Sequence, residues 1–182
     1  MKSNAISEPE SRAPIALWIT GLPGSGKSTI TRALVEELRD RGIVVAVLES
    51  DVLRRILVAR SAYTDEERDE FYRKLAELGA MLHGQGINVV FDATANLRRH
   101  REHARELIPD LMEVLVACSL ETCMTRDPKG IYASASRHEA QNVPGAQAPY
   151  EPPDRPVIVL DTERDSPELS ARRIVEVIES RG

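Results

Sequence analysis

The residues Gly21-Leu22-Pro23-Gly24-Ser25-Gly26-Lys27-Ser28 satisfy the pattern G-x-x-x-x-G-K-[ST] at every fixed position. Such a stretch is a phosphate cradle. Backbone N–H groups from Gly21, Gly24, Ser25 and Gly26, and from the start of the next helix to Thr29, can wrap the phosphates of a nucleotide at the helix's positive end. Lys27 reaches the outer phosphates, and Ser28 offers its hydroxyl to Mg²⁺. The surroundings match the chemistry: an apolar run at 15–20 reads as a buried strand, and 29–41 has helical period. The sequence therefore predicts a nucleoside triphosphate site.

In an open parallel sheet, ligands lie beyond the carboxyl ends of the strands. After the phosphate loop, the next strand-like runs end in Glu49-Ser50-Asp51, Asp92-Ala93-Thr94 and Cys118-Ser119. Asp51 is placed to accept a proton from an acceptor hydroxyl, or to order Mg²⁺-bound water beside the γ-phosphate. At the head of a short helix, 51–59, it also reads as a helix-dipole partner only. Asp92 reads either as a metal-supporting carboxylate or as the cap of the turn that follows it. Arg54 and Arg68 carry guanidinium forks that suit a phosphate or sulfate, or are solvated helix charges. The cluster Arg98-Arg99-His100-Arg101-Glu102-His103 lies on a polar helix with no acidic or cysteine partner at ligand spacing, so a solvated face is expected. His83 and His138 carry no signal, and there is no Ser-His-Asp arrangement or zinc spacing.

These residues need a scaffold to bring them together. Strand-like runs at 15–20, 43–49, 88–92, 112–118 and 157–161 alternate with segments of helical period. That alternation predicts an α/β fold, a doubly wound five-stranded parallel sheet. Ile30, Leu34 and Leu38 recur four apart in the first helix, which Gly42 closes. Thr64 and Glu67 form a capping box ahead of the stripe Phe71, Leu75, Leu78 and Leu82. Ser166-Pro167 opens a last helix carrying Leu169, Ile174, Val177 and Ile178. From Pro128 to Pro156 the apolar period disappears, and Pro, Gly, Ala, Ser and Gln dominate. A loop of that length inside a compact domain predicts a lid at 128–156.

With 182 residues, the chain is expected to hold one domain over 15–182 behind a disordered polar tail at 1–14. A net charge of −5 argues against a nucleic-acid surface and for a small metabolite partner. Cys118 and Cys123 read as reduced thiols, and no apolar run approaches the roughly 18 residues of a membrane span, so a cytoplasmic setting is expected.

On these motifs the chain resembles the adenylylsulfate (APS) kinase family, which moves the γ-phosphoryl of ATP to the ribose 3′-hydroxyl of adenosine 5′-phosphosulfate. The resemblance covers nearly everything from Leu17 onward. Its most specific part is the lid, Arg126-Asp127-Pro128-Lys129-Gly130-Ile131-Tyr132 through Asn142 to Pro149-Tyr150-Glu151-Pro152-Pro153, which follows the family pattern without a gap. The resemblance implies a P-loop kinase fold, ATP and Mg²⁺ as cofactors, and subunits that commonly pair as homodimers. It implies that Lys129, with Gly130 and Ile131, closes over the acceptor, that Arg126 lies near the ATP base, and that Asp51 is the base or metal-organising carboxylate. Arg54, Arg68 and Arg73 fall on arginines of the family pattern, and the first two would hold the acceptor's phosphate or sulfate.

The departures fall mainly on the acceptor side. The family's Asp-Gly-Asp is here Glu49-Ser50-Asp51, an asparagine on the second long helix is Phe71, and Ile-Ser after the third strand is Thr94-Ala95. The phenylalanines that sandwich the adenine of the acceptor appear as Tyr63 and Val143. A lost stacking wall costs about 1–3 kcal/mol, roughly ten- to a hundredfold in affinity. The expected activity is adenylylsulfate phosphorylation. An alternative is a related kinase for another nucleotide-linked or sugar-like acceptor, such as a cytidine diphosphoramidate-type compound. A nucleotide-dependent switch or binding module is the alternative from a different class, disfavoured by the absence of an Asn-Lys-x-Asp stretch.

Overall fold

The structure is a computed structural model, and it describes residues 13–58 and 63–181. The expected tail therefore lies outside the described residues up to position 12, as does the end of the short helix at Ala59. The described elements are β1 (Ala16–Thr20), α1 (Lys27–Asp40), β2 (Val45–Glu49), α2 (Ser50–Leu57), α3 (Asp65–Gly84), β3 (Asn88–Asp92), α4 (Arg98–Leu107), β4 (Met112–Ala117), α5 (Leu120–Arg126), α6 (Ile131–Ser136), β5 (Ile158–Asp161) and α7 (Pro167–Glu179). The strands form one five-stranded parallel sheet in the order β2-β3-β1-β4-β5. This is the doubly wound α/β sheet that the strand–helix alternation predicts.

Period-two alternation in β1 builds both faces of the sheet. Leu17 and Ile19 pack with Ile30, Leu34 and Leu38 of α1 and with Ile174 and Ile178 of α7. Ala16 and Trp18 pack on the opposite face with Phe71, Tyr72 and Leu75 of α3 and Ala104 of α4. Trp18 stacks on Phe91 at 4.5 Å between ring centroids, and its indole N–H donates to the Ala93 carbonyl at 3.1 Å. Gly79 lets α3 approach this pair: a Cβ there would lie 2.0 Å from Phe91 Cζ.

The caps follow the sequence with small adjustments. Thr64 Oγ1 accepts from the Glu67 N–H, but the Glu67 carboxylate reaches past the cap to the Tyr63 N–H at 3.0 Å. Ser166 Oγ accepts from the Leu169 N–H, while Leu169 itself sits on the outer face of α7. Two short elements have no counterpart in the sequence reading. One is α5, capped by Ser119 Oγ accepting from the Thr122 N–H; the other is α6, a six-residue helix inside the stretch read as lacking a long element. Runs of six or seven residues are too short for helical period to register, and α6 depends on Asp127, whose carboxylate accepts from the N–H groups of Ile131 and Ala133. Among the described residues, no helix is long and apolar enough to cross a membrane.

The polar helix α4 differs from its expected solvated face. Arg101 is fully buried and His100 nearly so. Arg101 donates to the Ala95 carbonyl and, at 2.5 Å, to the Glu151 carbonyl, and its Nε lies 3.5 Å from Glu113 Oε1. His100 Nε2 lies 2.7 Å from Asp69 Oδ1. Burial of charge is tolerated here because each group meets partners from distant segments, which spacing along one helix cannot show.

Candidate active site

The carboxyl ends of β1, β2 and β3 open into a cavity of about 1060 Å³, also lined by residues 126–131, 139–141, 143 and 144. At its donor end the phosphate loop runs from β1 into α1. Gly24 and Gly26 have φ 76° and 100°, conformations that favour glycine, and a Cβ on Gly24 would lie 2.8 Å from the Cys123 carbonyl oxygen. Thr162, just past β5, braces the loop by donating from Oγ1 to the Ser25 carbonyl at 2.8 Å. Gly24, Gly26, Lys27, Ser28 and Thr29 line the cavity. Gly21 and Ser25, also expected at the phosphates, are buried behind it. Gly21 contributes its carbonyl, which accepts from Lys27 Nζ at 3.0 Å, and Leu22's carbonyl accepts at 2.8 Å. Burial draws the Lys27 ammonium down to about 8, against the opposing pull of Asp92 and Asp51.

Asp92, 3% exposed, lies beside the Ser28 hydroxyl, and burial raises its pKa against the influence of Ser28, Lys27 and Lys129. Of its two sequence readings, this placement fits the metal-supporting one. Asp51, which the sequence reading put at the metal with Ser28, directly or through water, lines the same cavity as Ser28 and Asp92 and stands at its rim. One hydroxyl and one carboxylate suit Mg²⁺, which keeps several waters and takes its remaining ligands from substrate phosphates. Among the described residues, no group of three or more His, Cys, Asp or Glu forms a metal cage of its own.

Asp51, in the first turn of α2, forms an ion pair across the mouth of the cavity with Lys129, from the turn before α6. Both side chains are about half exposed. Partial burial works against the Lys129 charge, but the hydrogen bond to Asp51 and the carboxylates of Asp51, Glu49 and Asp92 raise its pKa overall. Gly130, at φ 65° before α6, and Ile131 line the wall beside it.

The acceptor side is assembled from scattered residues. Tyr63, Arg54, Arg68, Thr94 and Val143 all line the cavity, as does Tyr72, which the sequence reading did not single out. The Tyr72 hydroxyl accepts from the Ala95 N–H at 3.0 Å, fixing the turn after β3. Phe71 does not line the cavity. It is buried beneath Arg54, whose guanidinium lies 3.9 Å from its ring centroid and 5.0 Å from that of Tyr63. Its expected place as an acceptor contact is thereby corrected: helical period puts Phe71 on the core face, and it serves as a platform. Arg54 also pairs with Glu67 at 2.8 Å. Arg68 gives its donors to protein oxygens, the Asn142 carbonyl at 2.5 Å, Asn96 Oδ1 at 3.2 Å and the Tyr63 carbonyl at 3.4 Å. Arg73 is exposed, pairs with Glu70 and Glu77, and lies outside the cavity lining.

Arg126 lines the cavity near β5 and is held by Thr162, donating to its hydroxyl at 3.0 Å and its carbonyl at 2.8 Å. Cys118 and Cys123 are free thiols; burial and the neighbouring Cys118 push Cys123 up to about 12.

The family match and the curated relatives point to one family. Residues 13–161 match the family described as adenylylsulphate kinase. The adenylyl-sulfate kinase of Halothermothrix orenii is 36% identical over 168 residues, 92% of this chain and 91% of the relative. That of Thermodesulfovibrio yellowstonii is 38% identical over 167 residues, 91% and 84% of the two chains. The Mycobacterium tuberculosis APS kinase CysC, in complex with AMPPNP and APS, superposes with a TM-score of 0.86 at 32% identity, over 92% of this chain and 98% of the other. A sugar kinase from Janibacter, at 23% identity and a TM-score of 0.65, shares the fold.

Proposed function

The chain belongs to the adenylylsulfate kinase family, a family of ATP-using phosphotransferases, and from that premise we propose that it phosphorylates the ribose 3′-hydroxyl of adenosine 5′-phosphosulfate with Mg²⁺-bound ATP. The observation that carries the reading is the meeting of Asp51 and Lys129 at a cavity on which Lys27 and Ser28 of the phosphate loop and Asp92 at the end of β3 converge. The loop amides and Lys27 hold the β- and γ-phosphates, Ser28 and Asp92 support the ion, and Arg126 flanks the base. Mg²⁺, when bound, neutralises charge on the phosphates.

In this reading the acceptor hydroxyl oxygen forms the new bond to the γ-phosphorus while the bond from that phosphorus to the β–γ bridging oxygen breaks. The bridging electrons leave with ADP, and the hydroxyl proton passes to the Asp51 carboxylate. Lys129, tied to Asp51, places a cation beside the transferring group as residues 128–156 close. Catalysis is then positioning and charge neutralisation, not covalent chemistry. Arg54 and Arg68 supply positive charge to the acceptor's phosphosulfate, and Tyr63 its stacking wall.

The test is ADP release by the purified protein with and without adenylylsulfate, with mass spectrometry for a product heavier by one phosphoryl group. Saturable, acceptor-dependent release is expected; acceptor-independent release, or none despite ATP binding, would exclude it. Asp51→Asn is expected to lower kcat about a hundredfold or more, with KM for ATP little changed, and a near-normal rate would move the base elsewhere. A second reading, another nucleotide-linked or sugar-like acceptor, is favoured by Val143 and by Phe71, which deprive the wall of an aromatic ring and of an amide. A higher kcat/KM for such an acceptor in direct competition would select it.

A further inference from the structure

Residues 142–151 return to the body of the protein through a buried side chain that the proposed chemistry leaves unused. Asn96, in the turn between β3 and α4, is 1% exposed. Its Oδ1 accepts from Arg68 Nη1 at 3.2 Å, its Nδ2 donates to the Pro149 carbonyl at 3.0 Å, and its own carbonyl accepts from the Glu151 N–H at 2.8 Å. Arg68 extends the connection, donating from Nη2 to the Asn142 carbonyl at 2.5 Å. Asn142 Nδ2 in turn donates to the Tyr63 carbonyl at 2.9 Å, to which Arg68 Nε also points. The Asn96 carboxamide thus ties Pro149, at one end of the returning segment, to Arg68, which itself holds Asn142 at the other end and points to the Tyr63 carbonyl. Only an amide can donate from one atom and accept at the other here; a carboxylate lacks the donor and an alkyl group lacks both.

We propose that Asn96 is a positioning residue, the latch through which Arg68 couples occupancy of the acceptor wall to closure of the lid. The proposal rests on the kinase reading of this cavity. An anionic acceptor drawn to Arg68 meets a guanidinium already aimed by Asn96 and by the Asn142 carbonyl, so whatever steadies Arg68 also steadies the lid. The coupling runs both ways: a lid that has lost the latch presents a less well aimed arginine to the acceptor. ATP, held at the opposite end of the cavity by the phosphate loop, makes no use of this connection.

The test compares the full chain with Asn96→Ala and Asn142→Gly. Asn142 lies at φ 58°, so glycine keeps its backbone conformation while removing the amide, and this half-exposed site leaves a folding variant should the buried Asn96→Ala fail to fold. Two quantities are read: the rate of tryptic cleavage after the exposed Arg137, and the KM values for adenylylsulfate and ATP separately. Each variant is expected to be cleaved about threefold to tenfold faster, with KM for adenylylsulfate raised by a similar factor. KM for ATP should stay within about twofold. Saturating adenylylsulfate should protect the wild-type lid and protect the variants less. Unchanged cleavage in both variants, or an equal rise in both KM values together with a lower Tm, would overturn the latch. If the wild type does not phosphorylate adenylylsulfate, the acceptor assignment falls, and the cleavage rates alone decide the latch.

Discussion

At one end of the cavity most lining groups come from one stretch, residues 23–29, with Asp92 beside them, whereas the proposed acceptor end draws on α2, α3, the turn after β3 and residues 129–144. The donor end works through backbone geometry: left-handed Gly24 and Gly26, the start of α1 and a lysine anchored on its own loop. The acceptor end works through side chains that hold one another, with Arg54 on Phe71 and Arg68 among Tyr63, Asn96 and Asn142. A site of the first kind tolerates little change in sequence. One of the second kind can alter its ligand by single substitutions, and the departures from the family pattern at Tyr63, Phe71, Thr94 and Val143 gather there.

Substitutions at the two ends should separate accordingly. The largest effect is expected for Lys27→Ala, which removes the ammonium that the proposed mechanism places on the β- and γ-phosphates. Turnover should fall by about a thousandfold with a native circular-dichroism spectrum, and substantial remaining activity would detach the loop from the reaction. Next, Tyr63→Ala should raise KM for adenylylsulfate about tenfold or more by removing the remaining stacking wall. KM for ATP should hardly move, and a parallel rise in both would erase the distinction between the two ends.

A third test uses pH. Burial lowers Lys27 from 10.5 to about 8, so its ammonium is present below pH 8 and is lost as the pH rises through that value. ATP binding in the free enzyme should therefore be intact at pH 7 and weaken by up to about tenfold per unit above pH 8. Because the triphosphate restores the charged form, binding should take up protons near pH 8, which calorimetry in buffers of different ionisation enthalpy detects. In the absence of ligand the same shift favours the unfolded chain below pH 8, where the charge must be buried, and this penalty fades between pH 8 and 10.5. The smallest effect is expected at Arg73, exposed and, among the described residues, paired with its helix neighbours Glu70 and Glu77: Arg73→Ala should change kcat/KM less than twofold and leave Tm nearly unchanged. A large loss there would extend the acceptor site beyond the cavity wall.

Much of the donor end was legible in the sequence because its chemistry is local. The motif, the strand before it and the helix after it are contiguous, Asp92 ends β3 and Asp51 lies two residues past the end of β2, strands that hydrophobic runs reveal. The roles of Phe71, Arg68 and Asn96 were not legible. Phe71 has the period of a core residue, yet only the folded chain shows Arg54 lying on it, and Arg68 finds its carbonyl partner at Asn142, 74 residues away. Arg101 and His100 read as solvated charges because their partners, Glu113, Glu151 and Asp69, belong to other elements.

By itself the sequence determined the strand–helix alternation, the parallel sheet it implies and the nucleotide loop, since these depend on periodicity and backbone chemistry within a few residues. The tertiary structure decided which carboxylate faces Ser28, which lysine meets Asp51 and how Arg68 and Asn96 tie the 142–151 segment to the acceptor wall. The physical reason is that a buried charge or amide is stable only where its partners arrive from other parts of the chain, and those meetings exist only once the sheet has been assembled.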